Sequence, residues 1–307
     1  MAAAVALATC SVALLFLAPA LLAGATWQQR APRAAIILWQ SIGIAACIAA
    51  VGAGIAVSVS PIHTSVFGGL VDFGGRVVHG GFFQQLGVVG AIGLTFAVDI
   101  AFAFGACLTV TALRSLRGRA HHRGILDVIA SDDARLDGVV VLESAQVIAY
   151  CLPGLRPRIV VSRGALAALS SEEMHAVLDH ERGHASAHHE LMMLPFSSVQ
   201  GLFAWIPFAR LGPACVAGLA EMAADDFACR RSDPFVVANA LLRLVEAGAA
   251  RPPACAFAST STLTGRRILR LQDPARVSAR VGAVAVVLTL AVLAFPLVAM
   301  AVHWPGH

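Results

Sequence analysis

His180-Glu181-Arg182-Gly183-His184 lies in DHERGHASAHHE, residues 179–190, the stretch of this chain densest in side chains that can hold a metal. With 11 His and 7 Glu among 307 residues, random order would give His-Glu-x-x-His about 0.009 times, so chance explains the motif poorly. On a helix, residues four apart lie above one another, and His180 and His184 can present their imidazoles to one ion. Glu181 is turned about 100° away from His180. That direction suits a carboxylate working on a water beside the metal, as general base and then acid, better than a ligand. A catalytic zinc takes three protein ligands and keeps one position open, so a third ligand has to come from elsewhere.

The extended motif that supplies a late histidine on the same segment requires Gly and His where this chain has Ala187 and Glu190. Alanine gives no reason to break the helix, and His188 would lie about 12 Å along the axis from His180. The ligand is therefore expected on a second element. GLAEMAADDFACRR, residues 218–231, is helix-like and carries Glu221, Asp225 and Asp226. Glu221 and Asp225 share a face at i, i+4, so one can bind metal while the other accepts a hydrogen bond from a ligand imidazole. The plain alternative is a solvated acidic face paired with Arg230 or Arg231. Following His-Glu-x-x-His, the ligand reading is preferred for Glu221.

These side chains need a scaffold. Ser170-x-x-Glu173 has capping-box spacing, and Met174, Val177 and Leu178 supply an apolar side, which predicts a helix over about 171–190 carrying the motif. GVVVLES (138–144) and RIVVSRG (158–164) are β-branched runs flanking a Pro153-Gly154 turn, and predict a two-stranded hairpin. If RIVVSRG is an exposed edge near the metal helix, an extended peptide could add to it through main-chain hydrogen bonds.

The rest of the chain speaks of a membrane. Hydrophobic residues make up 58%, charged residues 13%, and the mean hydropathy is +0.77, outside the usual range of soluble domains. Apolar runs at about 3–24, 35–59, 87–113 and 281–302 are long enough to span a bilayer. The rival for the first, a cleaved signal peptide ending near Ala23-Gly24-Ala25, lacks a positive n-region. The positive charge is all arginine, 22 of them and no lysine. Arg30 and Arg33 follow the first run and Arg114, Arg117, Arg119 and Arg123 follow the third, whereas the 60–86 loop has Arg76 beside Asp72. The positive-inside rule then places a membrane domain at 1–113, a cytoplasmic domain at 114–280, and a fourth span with a short tail at 281–307, in a multi-pass cell-membrane protein.

No nucleic-acid partner is inferred from the arginines. Seven scattered cysteines without Cys-x-x-Cys argue against a disulfide framework or a thiolate zinc site. The apolar segment 191–217 contains Pro195, Pro207, Pro213 and Arg210. A simple crossing there would separate Glu221 from His184, so a hairpin packed on the domain or dipping into the interface is expected, with Trp205 near the headgroups. Asp99, central in the third run, is open to two readings: a relay group, or a neutral acid bonded to a neighbouring helix. His63, His79, His121 and His122 read as loop or interface residues.

HERGH followed by Glu221-Met222-Ala223-Ala224-Asp225 resembles the gluzincin pattern of His-Glu-x-x-His and a downstream Glu-x-x-x-Asp. Together with AYCLPG, RIVVSRGAL and SSEEMHAVLDHERGH in that order, it looks most like the membrane peptidases of the BlaR/MecR antirepressor type, cousins of the CAAX prenyl proteases, over about 138–230. The resemblance implies an α-helical membrane protein with about four transmembrane helices and an inserted cytoplasmic α+β gluzincin-like zinc peptidase domain. It implies one zinc ion per chain on His180, His184 and Glu221, catalysis by Glu181 and support from Asp225. The expected partners are the lipid bilayer and a protein or peptide substrate such as a transcriptional repressor. A homodimer is compatible with it. The sequence ends about five residues after the fourth run, so the penicillin-binding sensor domain of the β-lactam receptors is not expected, nor is β-lactam sensing. Two alternatives are a catalytically silent signal transducer that keeps the fold and a CAAX-protease-like quality-control peptidase. Intact His180, Glu181, His184 and Glu221 favour the enzyme.

Overall fold

The computed structural model describes residues 1–60, 63, 65–78, 87–132, 139–154, 157–248, 261–273, 275 and 277–304. The expectations for His79, Cys255 and the last three residues fall outside them. Among the described residues four helices are long and apolar enough to cross a membrane: α1 (Ala2–Ala23), α2 (Pro32–Val59), α4 (Val88–Ile129) and α11 (Ala279–Ala301). A further helix, α3 (Val66–Val78), occupies part of the 60–86 segment expected as a loop. Small residues let α2 and α4 approach closely, as apolar helices without a hydrophobic drive between them require. A Cβ on Gly54 would lie 2.6 Å from the carbonyl oxygen of Gly93, and Ser58 Oγ donates to the carbonyl of Gly90 at 2.9 Å.

The third apolar run does not end its helix near 113. The helix continues to Ile129: residues 114–129 hold no proline to stop it, and the arginines, leucines and Ala120 sustain it across Gly118 and Gly124. Its far end joins a four-stranded sheet. The strands are β1 (Ala130–Asp132), β2 (Val139–Leu142), β3 (Ala149–Leu152) and β4 (Arg158–Ser162), in spatial order β1-β2-β4-β3. The expected hairpin between GVVVLES and RIVVSRG is therefore a correction: β2 and β4 pair in parallel. AYCL is itself a strand, and it forms the antiparallel hairpin with β4 across Pro153-Gly154. β4 is paired on both sides and cannot be the exposed edge expected of it; β1 and β3 are the edge strands.

Strand alternation sends Val139, Val141, Ile159 and Val161 to one face, against Met174, Val177 and Leu178. The other face, with Leu142, Tyr150, Leu152 and Val160, packs on Leu126 of α4. After the short α5 (Arg163–Ala168) comes α6 (Ser171–Ser186), opened by the expected capping box: Glu173 N donates to Ser170 Oγ and Ser170 N to Glu173 Oε2. The helix is shorter than expected. It stops at Ala187, and His188 takes the left-handed conformation (φ 50°, ψ 42°) before α7 (His189–Phe203) begins.

The segment 191–217 is a helical hairpin of α7 and α8 (Pro207–Ala228), followed by α9 (Pro234–Glu246) and α10 (Ser261–Leu271). Phe196, Phe208, Val216, Leu219 and Ala220 pack on Ala35, Ile36, Trp39 and Ile42 of α2. Trp205 meets Phe16, in the C-terminal half of α1, with ring centroids 6.0 Å apart. The site helix α8 is thus held directly against two of the apolar spanning-length helices.

Candidate metal centre

α6 and α8 cross at Gly183, the fourth residue of the motif. A Cβ there would sit 3.0 Å from Phe227 Cβ and 3.1 Å from Ala224 Cα, so glycine is what allows this approach. Opposite it, Ala220, Ala223 and Ala224 keep α8 thin. The result is that Glu221 reaches the two histidines of α6. His180 Nε2 and His184 Nε2 lie 3.2 Å apart. Glu221 Oε2 is 3.7 Å from His180 Nε2, and its Oε1 is 3.5 Å from His184 Nε2.

Three donors tetrahedrally arranged at zinc bonding distance are separated by about 3.4 Å. The observed separations, two of them to different oxygens of the Glu221 carboxylate, lie close to that value, and one donor atom from each of His180, His184 and Glu221 falls within 4.8 Å of the others, which fits a zinc ion. Among the described residues these three form the one group of metal-ligating side chains that converges in this way.

Each histidine is also gripped from behind. His180 Nδ1 lies 3.0 Å from Asp225 Oδ1, within ion-pair reach though off hydrogen-bond alignment. His184 Nδ1 lies 2.9 Å from Nδ1 of His189. Partners of this kind orient metal-binding imidazoles and choose their tautomer. Glu181 points elsewhere, as its place on the helix requires: its Oε2 accepts a 2.8 Å hydrogen bond from the amide of Cys151 on β3. The motif acid is thereby fixed beside the β3 edge of the sheet. Glu190, at the position where an extended motif would have its third ligand, is drawn to α4 by Ser115 Oγ (2.9 Å) and Arg119 (3.0 Å).

Two residues of this centre were not anticipated. His189 comes into place because the left-handed His188 swings the chain back; on an unbroken helix it would point well away from His184. Arg267 of α10, fully buried, donates to Asp225 Oδ2 and Oδ1 at 2.8 and 2.6 Å and to Glu221 Oε2 at 2.6 Å. The acids of α8 are thus not a solvated face. Asp226 pairs with Arg270 at 2.7 Å, whereas Arg231 goes to Asp179 at 3.3 Å and Arg230 lies over the ring of Phe227.

Burial and charge set the protonation of the cluster. For His180, burial opposes a proton, but the Asp225 and Glu221 carboxylates outweigh it and raise the pKa to about 9. Burial dominates at His184 and lowers its pKa to about 3 despite Glu221. Burial also lowers His189 to about 4, with the charge of His180 adding to it. Asp225 is held well below the ordinary carboxylate range: burial works the other way, and the charge and hydrogen bonds of Arg267 prevail. The cluster is thus an Asp225 carboxylate between two cations, with two neutral imidazoles beside it.

Residues 115–251 match the model of Peptidase family M48, a zinc-dependent metallopeptidase family. The match takes in just under half of the chain. It runs from the part of α4 beyond the apolar segment to just past α9, and includes His180, Glu181, His184, Glu221 and Asp225 while stopping short of Arg267. No curated protein and no solved structure matches the chain. The match supports a zinc metallopeptidase, and the described residues add four helices able to cross a membrane.

Proposed function

We propose that the chain is a membrane-anchored zinc endopeptidase whose peptidase domain, about 114–280, lies on the cytoplasmic side and cuts a cytoplasmic or membrane-proximal protein. The observation that carries this reading is the convergence of His180, His184 and Glu221 at tetrahedral donor spacing, with Glu181 next to them and outside the donor set. When bound, the ion would supply Lewis acidity to a peptide carbonyl and acidify a water at the site.

His180, His184 and Glu221 would hold the ion, one zinc per chain. Asp225 and His189 would orient the two imidazoles, and Arg267 would fix Glu221 by its Oε2. Glu181 takes a proton from the attacking water and delivers it to the leaving amine, which requires a carboxylate near the scissile bond and not on the ion. The sheet favours an extended substrate. In the β3–β4 pairing Ser162 N donates to Ile148 O at 2.9 Å, so by alternation the main-chain groups of Ala149 face the outer edge beside α6, next to the Cys151 amide that Glu181 already holds. A peptide strand laid there would run past Glu181.

The arginine distribution after α1 and in the polar extension of α4 supports the cytoplasmic placement. The antirepressor resemblance makes a transcriptional repressor the first substrate to test. Wild type and Glu181→Gln, reconstituted in bilayers with a repressor encoded nearby, should differ by about 10²- to 10⁴-fold in cleavage rate from the proton-transfer contribution alone. Equal cleavage by the two would refute the role of Glu181. Absence of cleavage by either, with zinc bound, would favour the silent transducer.

A further inference from the structure

α1 ends at Ala23, α2 starts at Pro32 and α11 starts at Ala279, and these three helix ends meet around the short 3-10 turn Thr26–Arg30. The turn is tied down on both sides. Arg270 Nε donates to the carbonyl of Gln29 at 2.6 Å, and Ser278 N donates to the carbonyl of Arg30 at 2.9 Å. Between the turn, α10 and the start of α11 lies a cleft of about 460 Å³. Its walls include Arg30, Arg266 and Arg270, one acid, Asp273, and the apolar side chains of Trp27, Leu269 and Val281.

The wall chemistry is that of an amphiphile's boundary. Arg30 and Arg266 are exposed and have no ion-pair partner among the described residues, whereas Arg270 is already committed to Asp226. Two guanidinium groups therefore remain for an anion, and planar forked donors suit phosphate. Leu269 is 69% exposed beside them, an apolar surface with no function toward a soluble anion but a suitable seat for the glycerol backbone and the start of an acyl chain. Trp27 is half-buried at the depth where three spanning-length helices end, the level at which tryptophan anchors in a bilayer. Basic pockets between helix ends on the cytoplasmic side are suited to anionic headgroups.

We infer that this cleft is a binding site for the headgroup of an anionic glycerophospholipid of the surrounding bilayer, held by Arg30 and Arg266. The inference rests on the four apolar helices lying in a membrane and is independent of the peptidase reading. α10 also carries Arg267, so the helix that lines the lipid site is the one that holds Glu221 and Asp225.

The test uses the full-length chain, delipidated in detergent and titrated with phosphatidylglycerol or phosphatidylcholine under native mass spectrometry. At about fivefold for each arginine near an anionic surface, two arginines predict a preference of about 25-fold for phosphatidylglycerol. Arg30→Gln/Arg266→Gln should abolish that preference while retaining zinc as wild type does, and Arg30→Lys/Arg266→Lys should keep most of it. Asp273→Asn should bind phosphatidylglycerol more tightly than wild type. Equal binding of the two lipids by wild type, or an unchanged preference in the double Gln variant, would overturn the site. Displacement of the lipid by millimolar glycerol phosphate would assign the cleft to a soluble phosphate compound and overturn the lipid as its occupant.

Discussion

Arg267→Met is the substitution with the largest consequence outside the metal-binding side chains themselves. It removes three short hydrogen bonds and the buried cation that two carboxylates share, leaving Asp225 and Glu221 with protonated His180 as their nearest positive charge. Removing one partner from a buried ion cluster costs about 3–5 kcal/mol. The low end is expected here because His180 offsets part of the charge. Zinc displaces the His180 proton but brings two charges in its place, so the loss in thermal stability should be larger for the metal-free protein than for the loaded one. Loss of the grip on Glu221 Oε2 should also weaken zinc by about 10- to 100-fold, the usual effect of removing a group that orients a ligand. The assay is thermal unfolding in detergent with and without zinc, together with competition against a chelator of known affinity. Arg267→Met/Asp225→Asn should recover part of the stability, because it removes one stranded anion along with the cation. If Arg267→Met melts with wild type in the metal-free state and holds zinc equally well, the cluster does not stabilise the site as described.

His189→Leu should lower zinc affinity by about 10- to 100-fold without touching a ligand, and His189→Asn, whose amide oxygen can occupy the Nδ1 position, should restore much of it; equal affinities in all three would remove His189 from the site. Because His180 has a metal-free pKa of about 9, a proton must leave when the metal enters. Apparent zinc affinity should therefore rise by about tenfold per pH unit up to about pH 9 and then flatten, as chelator competition would record. His184, already neutral, adds nothing to that slope. The stability of the metal-free protein should move oppositely: the contribution of protonated His180 is complete below about pH 6.5 and disappears as pH rises through about 9. Gly183→Val should push α6 and α8 apart, and retained zinc in that variant would show that the crossing is not set by the glycine contact.

What could be read from the residues was what depends on local chemistry. The capping box at Ser170 and Glu173, the i, i+4 histidines and the i, i+4 acids each follow from helix periodicity alone, and the four apolar runs follow from their length. Sheet order did not, because β-branched runs announce strands without naming their partners. Once AYCL is a strand, β4 has a neighbour on each side and the edge position passes to β3. The break at His188 has no glycine or proline to announce it, so the helix was expected to run on and His189 was overlooked. Arg267 lies 46 residues beyond Glu221. Its one signal is position: it stands four residues before the buried Leu271, on the side of α10 that faces the interior, where an arginine needs an anionic partner.

The central claim is that His180, His184 and Glu221 bind one catalytic zinc while Glu181 stands beside it, and zinc stoichiometry of purified variants addresses it most directly. Wild type and Glu181→Gln should each carry about one zinc per chain, whereas His180→Ala, His184→Ala and Glu221→Ala should each carry much less. Loss of zinc from Glu181→Gln together with full loading of Glu221→Ala would contradict the assignment.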